Sequence, residues 1–239
     1  MNTLWTPQAL TLDLDDTLWP IWPTIARAEQ ALQDWLRQHA PRTALDHAAL
    51  DAATKATRRA QLVRERPDWA HDMSALRRES IRRALLAAGD DPALAGLAFE
   101  HFYAERNRVE LFEDALPALE RLARRWPIVA VSNGNADLER VGLSRFFAAC
   151  FSAHQFGVGK PAAPIFHAAC AAVGAPPDAV LHVGDDAELD VDGALAAGLR
   201  AAWVQRPGQA GMGGPQRMPQ GTPHHHVTDL TALADQLGA

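Results

Sequence analysis

Short apolar runs alternate with helical patterns over most of this chain, and that alternation is the feature that most limits its possible folds. Five runs predict buried strands, at residues 9–13, 128–132, 149–153, 179–183 and 199–204. Helical patterns occupy residues 115–125, 137–147, 163–173, 189–197 and 229–237. Strands that alternate with helices form parallel sheets covered by helices on both faces. The sequence therefore predicts an α/β fold with a doubly wound, Rossmann-like parallel sheet.

An all-helical block separates the first predicted strand from the other four. Apolar residues recur at spacings of three and four from Thr24 to Arg108, and no strand-like run interrupts them. Breaks at Pro41, Pro67 and residues 89–92 predict four helices in this block. We therefore expect a discontinuous core domain, residues 1–19 and 112–239, with an inserted helical domain at residues 20–111.

The charge of the chain disfavours polyanionic partners. The net charge is -6, so the chain lacks the basic field that holds nucleic acid or anionic lipid. Residues 20–110 carry 14 Lys and Arg against 13 Asp and Glu, whereas the remainder carries 9 against 16. Residues 1–14 lack a signal-peptide pattern, and no uncharged apolar run reaches membrane-spanning length. We expect a cytoplasmic monomer or homodimer, with Cys150 and Cys170 as buried thiols.

Polar side chains follow four of the predicted strands, where parallel sheets bind their ligands. They are Asp13, Asp15, Asp16 and Thr17 after the first strand, Ser132 and Asn133 at the second, Lys160 after the third, and Asp185, Asp186 and Asp190 after the fourth. Carboxylates in excess over cations predict a divalent ion, and oxygen ligands suit Mg²⁺. Lys160 is one of only two lysines among 23 basic residues, which singles it out as a compact point charge.

This set of groups suits phosphoryl transfer through an aspartate. Asp13 and Asp185 would hold the metal ion, and one carboxylate would attack phosphorus while Asp15 moves protons. Ser132 would donate to a phosphoryl oxygen with Asn133 beside it, and Lys160 would stabilise the transition state. Thr17 could bind phosphate or cap a turn, and Asp16 is better explained as a turn residue.

The motifs resemble those of the haloacid dehalogenase superfamily. LDLDDTL resembles its first motif, VSNG its second, GKP its third and VGDDAELDVDGALAAG its fourth, in the same order. The resemblance implies a Mg²⁺-dependent phosphatase with Asp13 as nucleophile and Asp15 as general acid and base. It also implies metal binding by Asp13, Asp185 and the backbone carbonyl of Asp15, with Asp186 and Asp190 behind these ligands. The helical block would be the superfamily's cap, a four-helix lid.

Within that superfamily, the chain resembles the bacterial phosphatases of flavin mononucleotide and of 5-amino-6-(5-phosphoribitylamino)uracil. RWPIVAVSNGNA and HDMSALRRESIRRALLAAG carry this likeness. It implies that a small phosphorylated metabolite is the partner, with His71, Arg77 and Arg78 of the cap as substrate contacts. Trp19, Trp22 and Trp69 could stack on a flat ring, although tryptophan is more often buried.

Three other readings remain open. A 2-haloacid dehalogenase uses the same nucleophile but lacks the acid at the position of Asp15. A phosphoacceptor receiver domain combines similar groups in a different strand order, and a catalytically idle binding protein could keep the same fold. Residues 207–223 predict a loop, and a solvated loop is preferred over a metal site for His224–His226, because three consecutive side chains cannot converge on one ion without strain.

Overall fold

The computed structural model describes residues 5–208 and 217–239 of the chain. Strand β1 (Ala9–Leu12) is followed by five helices, α1 (Ile21–His39), α2 (Pro41–Ala48), α3 (Ala52–Glu65), α4 (Met73–Ala88) and α5 (Ala95–Arg106). The chain continues with α6 (Ala115–Ala123), β2 (Ile128–Ser132), α7 (Leu138–Val141), β3 (Ala149–Ser152), α8 (Ala153–Phe156), α9 (Ala163–Ala172), β4 (Val180–Gly184), α10 (Gly193–Ala196), β5 (Arg200–Val204), β6 (His225–Val227) and α11 (Leu230–Leu237). Short 3-10 turns lie at Pro67–Trp69, Pro92–Leu94, Ser144–Phe146 and Pro177–Ala179, and a π-helix spans Ala187–Asp192.

The strands form one parallel sheet in the order β3-β2-β1-β4-β5-β6. Every residue of β1, β2 and β4 is buried, as expected for parallel strands covered on both faces. Leu10 lies opposite Ile128 of β2 and Leu181 of β4, so the first strand of the chain lies inside the sheet. The predicted α/β parallel fold is confirmed.

A sixth strand is the first difference from the sequence prediction. The solvated loop expected at His224–His226 was wrong in part, because β6 begins at His225 and pairs with β5. The His224 backbone N–H donates to the carbonyl of Ala201, and the His226 ring stacks on Trp203 at 4.6 Å. The three residues of β6 are too few to show the alternation of apolar and polar residues that predicts a strand. Of the predicted 207–223 loop, residues 209–216 lie outside the described residues, and residues 217–223 are irregular.

The described chain divides into two compact units. The sheet unit comprises Met1–Ile21, Glu110–Gly134 and Gly142–Ala239, and the helical unit comprises Trp22–Val109 and Asn135–Val141. The predicted boundaries left Asn135–Val141 in the core domain, and the structure groups this segment with the helices. Two hydrogen bonds join the segment to the helices, since Asn135 Nδ2 donates to Ser74 Oγ at 3.1 Å and the Asp137 backbone N–H donates to Asn107 Oδ1 at 2.8 Å.

Five α-helices, α1 to α5, lie between residues 21 and 106 rather than the predicted four. The second predicted helix is divided because the side chain of Asp51 accepts a hydrogen bond from the Thr54 backbone and caps α3. Gly89, with a φ of 75°, ends α4 in the left-handed conformation that favours glycine. The helices bury one apolar cluster built around Leu32, Leu36, Leu85, Phe99 and Phe102.

Two predictions for the chain beyond residue 110 were wrong in detail. The helix expected at residues 137–147 is broken at Gly142, whose φ of 83° is unsuited to a helix. Cys170 is buried as expected, but Cys150 is exposed because it lies on β3, the edge strand. Among the described residues, no helix combines the length and apolar character that a membrane span requires.

The adjacent leucines Leu85 and Leu86 test the core of the helical unit. Leu85 is fully buried, whereas Leu86 is 59% exposed. We expect Leu85→Ala to lower the free energy of unfolding by about 2–5 kcal/mol, since it removes buried methyl groups and leaves a cavity. Leu86→Ala is the matched control and should change it by less than about 0.5 kcal/mol. Urea titrations followed by circular dichroism measure both, and equal losses would contradict the packing described.

Candidate active site

The carboxyl edge of the sheet unit brings together the main groups predicted from the sequence. Asp13 directly follows β1, Ser132 is the last residue of β2, and Asp185 directly follows β4. Lys160 precedes α9 and is 5% exposed. These four residues are all buried and all belong to the sheet unit.

The ammonium of Lys160 lies between two carboxylates. Lys160 Nζ donates to Asp13 Oδ1 and to Asp190 Oδ1, each at 2.6 Å. The other oxygen of Asp190, Oδ2, accepts the backbone N–H of Asp186 at 2.9 Å. Asp190 is therefore placed behind the site, where it holds Lys160 toward Asp13.

His182 extends this network into the sheet, and sequence reasoning missed it. His182 Nε2 is 3.0 Å from Asp190 Oδ1, and His182 Nδ1 is 2.8 Å from Thr11 Oγ1. An ionised carboxylate only accepts hydrogen bonds, so Nε2 carries the proton and Nδ1 accepts from the Thr11 hydroxyl. Thr11 and His182 are direct partners in the sheet. Each is the only polar residue of an otherwise apolar strand, a signal that could have revealed the pair.

Burial and unbalanced charge shift the acids of the site in opposite directions. Burial raises the pKa of Asp13 to about 7, against the lowering effect of Lys160 and with repulsion from Asp190 added. Burial and the neighbouring acids Asp190 and Asp13 likewise raise the pKa of Asp185 well above its usual range. Although burial alone would have the opposite effect, Lys160 and His182 lower the pKa of Asp190. One ammonium thus compensates one of three buried carboxyl groups fully.

The excess negative charge and the oxygen ligands fit a divalent cation. One oxygen from each of Asp13, Asp185 and Asp190 can be chosen so that all lie within 4.8 Å of one another. Both oxygens of Asp190 already accept hydrogen bonds. Asp13 and Asp185 are therefore the carboxylates suited to bind the ion, and carboxylate oxygen is the ligand that Mg²⁺ prefers.

The turn after β1 places Asp15 and Asp16 differently. Trp19 Nε1 donates to Asp15 Oδ1 at 2.8 Å, which fixes that carboxylate from one side. Asp16 has a φ of 60°, and its Oδ1 accepts the backbone N–H of Ile21 at 2.9 Å. Asp16 is the turn residue that the sequence indicated. Trp19 is fully buried, so of its two possible roles the structure supports packing.

The predicted phosphate-binding residues have distinct partners in the structure. The Thr17 hydroxyl donates to Asp185 Oδ1 at 2.9 Å, so its hydrogen is directed to a carboxylate and not to phosphate. Asn133 holds the backbone of Lys160 on both sides, with Nδ2 donating to the Lys160 carbonyl and Oδ1 accepting the Lys160 N–H, each at 2.8 Å. Ser132 Oγ accepts the Gly134 N–H at 3.0 Å, and its hydroxyl donates to no other group among the described residues, so its hydrogen can serve a ligand.

Two glycines allow this arrangement. A Cβ at Gly159 would overlap the Asn133 side chain, and a Cβ at Gly184 would overlap the carboxyl group of Asp190. Asp186, predicted to lie behind the ligands, uses its Oδ1 to accept the N–H groups of Glu188 and Leu189 and so caps the π-helix.

The three residues predicted to contact substrate belong to the helical unit. Arg77 Nη1 pairs with Glu29 Oε1 at 2.5 Å, and its guanidinium lies over the Phe102 ring. The Arg78 guanidinium lies over Phe99. Arg78 and His71 are exposed, whereas Arg77 is partly buried.

Comparison with known proteins places these groups in a family. The model for haloacid dehalogenase-like hydrolases matches residues 7–198. One relative, 5-amino-6-(5-phospho-D-ribitylamino)uracil phosphatase YigB of Escherichia coli strain K12, is 34% identical over 202 residues, which cover 82% of this chain and 83% of the relative. The chain belongs to the haloacid dehalogenase-like hydrolase family.

Other relatives of this hydrolase carry different names. A phosphoserine phosphatase of Thermus thermophilus is 37% identical over 136 residues, covering 54% of this chain and 55% of the relative. The crystal structure of 2-haloacid dehalogenase from Pseudomonas syringae pv. Tomato DC3000 matches with a TM-score of 0.86 and 35% identity, covering 98% of this chain and 99% of the other. The magnesium-bound HAD-hydrolase YfnB of Bacillus subtilis shares the fold, with a TM-score of 0.68 at 20% identity over 98% of this chain and 100% of the other.

The raised pKa of Asp13 predicts a pH-dependent stability effect. The folded protein holds the Asp13 proton more tightly than the unfolded chain, because the pKa is about 7 in the fold against 3.8 ordinarily. The carboxyl group therefore destabilises the fold progressively as pH rises from about 4 to about 7. Asparagine stays neutral. We therefore expect Asp13→Asn to become more stable relative to the original chain as pH rises, with chelator present. The difference between their free energies of unfolding should increase by about 1 kcal/mol or more between about pH 5 and 8.

Asp178 supplies the control, since it is an exposed acid of the same unit. Asp178→Asn should give a difference that changes little over the same pH range. Urea titrations at each pH measure all three proteins. A constant or shrinking difference for Asp13→Asn would show that ionised Asp13 is well accommodated without a cation.

Proposed function

We propose that this hydrolase is a Mg²⁺-dependent phosphatase of small phosphorylated metabolites, with Asp13 as the nucleophile. The observation that carries the proposal is the buried Asp13, held at 2.6 Å by Lys160 beside Asp185. A carboxylate can attack an anionic phosphate only where the negative charges of both are compensated. Lys160 supplies one compensating charge, and the family membership supports the same chemistry.

In the proposed reaction, an oxygen of Asp13 forms a bond to phosphorus while the bond to the leaving oxygen breaks. Asp15 gives its proton to that leaving oxygen, and an aspartyl-phosphate remains on Asp13. A water molecule then attacks this phosphorus and the bond from phosphorus to the Asp13 oxygen breaks, which restores the Asp13 carboxylate. Asp15 takes a proton from the water, and phosphate leaves. The hydrogen bond from Trp19 orients Asp15 for both proton transfers.

The remaining groups of the site orient the nucleophile and the phosphoryl oxygens. Ser132 would donate its free hydroxyl hydrogen to a phosphoryl oxygen, and Lys160 would stabilise the charge that develops there. We assign Asn133 to positioning Lys160, because its amide already binds the Lys160 backbone. Asp190 and His182 keep the ammonium aimed at Asp13.

Mg²⁺ fits the carboxylates of Asp13 and Asp185, with the backbone carbonyl of Asp15 as a further ligand. When bound, the ion would neutralise the acids and the phosphoryl oxygens, which otherwise repel one another. Thr17 would hold the Asp185 carboxylate ready, through its hydrogen bond at 2.9 Å.

The proposed substrate carries a flat heteroaromatic ring, as in flavin mononucleotide or the ribitylaminouracil phosphate. The similarity to the protein named ribitylaminouracil phosphatase, over 82% of this chain, supports this class. We assign recognition of the ring to the helical unit, through Arg78 and His71. Arg77 is a weaker candidate, because its pairing with Glu29 and Phe102 gives it a structural task.

Dehalogenation is the second candidate, and one observation favours it. The structural match at 35% identity is named a 2-haloacid dehalogenase. Asp15 argues for the phosphatase, because a halide leaves without needing a proton from an acid. A phosphoacceptor receiver domain agrees less well with membership of a hydrolase family. A binding protein without activity would not need the intact set of Asp13, Asp15 and Lys160.

Phosphate release from p-nitrophenyl phosphate is the direct test of the reaction. We expect turnover with Mg²⁺, reversible loss with chelator, and loss of at least about 1000-fold in Asp13→Asn, since an amide cannot act as the nucleophile. Asp178→Asn should keep the original rate. Halide release from 2-chloropropionate without phosphatase activity would instead support the dehalogenase.

A panel of phosphorylated metabolites tests the substrate class. We expect kcat/KM for flavin mononucleotide or the ribitylaminouracil phosphate to exceed that for hexose phosphates and phosphoglycolate. Arg78→Ala should raise KM for the ring-bearing substrate and leave p-nitrophenyl phosphate unaffected, because the small ester offers no extended ring to the helical unit. Arg82→Ala is the matched control, since Arg82 lies on the same helix and pairs with Glu79. A preference for hexose phosphates would rule out the ring-bearing class and leave the phosphatase reaction intact.

A further inference from the structure

Arg206 is a buried arginine just beyond β5 that the proposed chemistry does not use. It is 8% exposed. Its Nη1 and Nη2 donate to the two oxygens of Asp114, at 2.8 and 3.0 Å, and Nη2 also donates to the backbone carbonyl of Thr17 at 2.8 Å. The guanidinium carbon lies 3.8 Å from the ring centre of Phe112. All of these groups belong to the sheet unit.

Thr17 connects Arg206 to the proposed metal ligand. Its carbonyl accepts from Arg206, and its hydroxyl donates to Asp185 Oδ1 at 2.9 Å. Asp185 is held separately through its backbone, because Trp203 Nε1 donates to the Asp185 carbonyl at 2.8 Å. Loss of the Thr17 contact would therefore remove one hydrogen bond from the Asp185 carboxylate and leave the contact to its backbone in place.

Asp114 holds the Arg206 guanidinium in one position. Besides Arg206, Asp114 Oδ2 accepts the backbone N–H of Leu230 at 2.7 Å, at the start of α11. Two parallel hydrogen bonds to one carboxylate fix the plane of a guanidinium, which an ammonium cannot reproduce. With the plane fixed, the other N–H of Arg206 Nη2 is directed toward the Thr17 carbonyl.

We propose that Arg206 is a positioning residue, which holds Thr17 so that Thr17 orients the Asp185 carboxylate for the divalent cation. The inference rests on the proposed function only in taking Asp185 as a ligand of that ion. Residues that orient metal ligands typically change metal affinity by about 10- to 100-fold when replaced. A purely structural arginine would lower stability and leave the affinity unchanged.

Mg²⁺ binding, measured by isothermal titration calorimetry without substrate, separates these roles. Arg206→Met should raise the Kd for Mg²⁺ by about tenfold or more. Arg206→Lys keeps the charge and the stem of the side chain and carries the test if Arg206→Met does not fold. It should also weaken binding, because one ammonium cannot pair with both Asp114 oxygens and hold Thr17. Arg200→Met is the control, since Arg200 lies on β5 over Trp5 and should bind Mg²⁺ like the original chain.

A double-variant cycle tests the route through Thr17. Thr17→Val should weaken Mg²⁺ binding as well, and the double variant with Arg206→Met should bind no more weakly than Thr17→Val alone. Folded Arg206 variants with a Kd within about twofold of the original would overturn the inference, as would effects that add fully. If the original chain binds Mg²⁺ but hydrolyses no phosphomonoester, the proposed function fails. A raised Kd for Mg²⁺ in Arg206→Met would still support the positioning role. If the original chain binds no Mg²⁺, both fail.

Discussion

The buried ammonium of Lys160 is the interaction on which the rest of the candidate site depends. Asp13, Asp185 and Asp190 approach one another in an interior that water does not screen, and such charges are costly unless they are compensated. Lys160 donates a hydrogen bond to two of them, Asp13 and Asp190, at 2.6 Å each. The Asn133 amide fixes the backbone of Lys160, and His182 contacts Asp190, the second acid that Lys160 binds. These contacts together place one positive charge.

That placement explains why lysine and not arginine occupies the position. The chain uses arginine for 21 of its 23 basic residues, and at Asp114 it uses the forked geometry of Arg206 to fix a plane. The position between Asp13 and Asp190 requires a different side chain, because two carboxylates on different segments must share one small cation. An ammonium can donate to both from a single atom, whereas a planar guanidinium requires more space.

Much of the fold, and the grouping of the candidate site residues at one edge of the sheet, could be predicted from the sequence, because both depend on local patterns. The apolar strands of the core identify the sheet, and the polar residues at their ends identify the edge that carries the candidate site. What the sequence could not provide were contacts between distant segments. Strand β6 is too short to be recognised without its partner, and the hydroxyl of Thr17 could not be assigned to Asp185 rather than phosphate. Arg206 follows no motif, and only the fold brings it to Thr17.

The interior position of β1 has a consequence for how the chain reaches its folded state. Its partners β2 and β4 lie far along the sequence, so Leu10 cannot find Ile128 and Leu181 until most of the chain has left the ribosome. Helices α1 to α5 intervene, and they pack against one another around one apolar cluster whose residues all precede β2. These helices can thus form their apolar cluster before either strand that pairs with β1 has been synthesised. During synthesis, an apolar strand is the exposed segment that chaperones would need to protect.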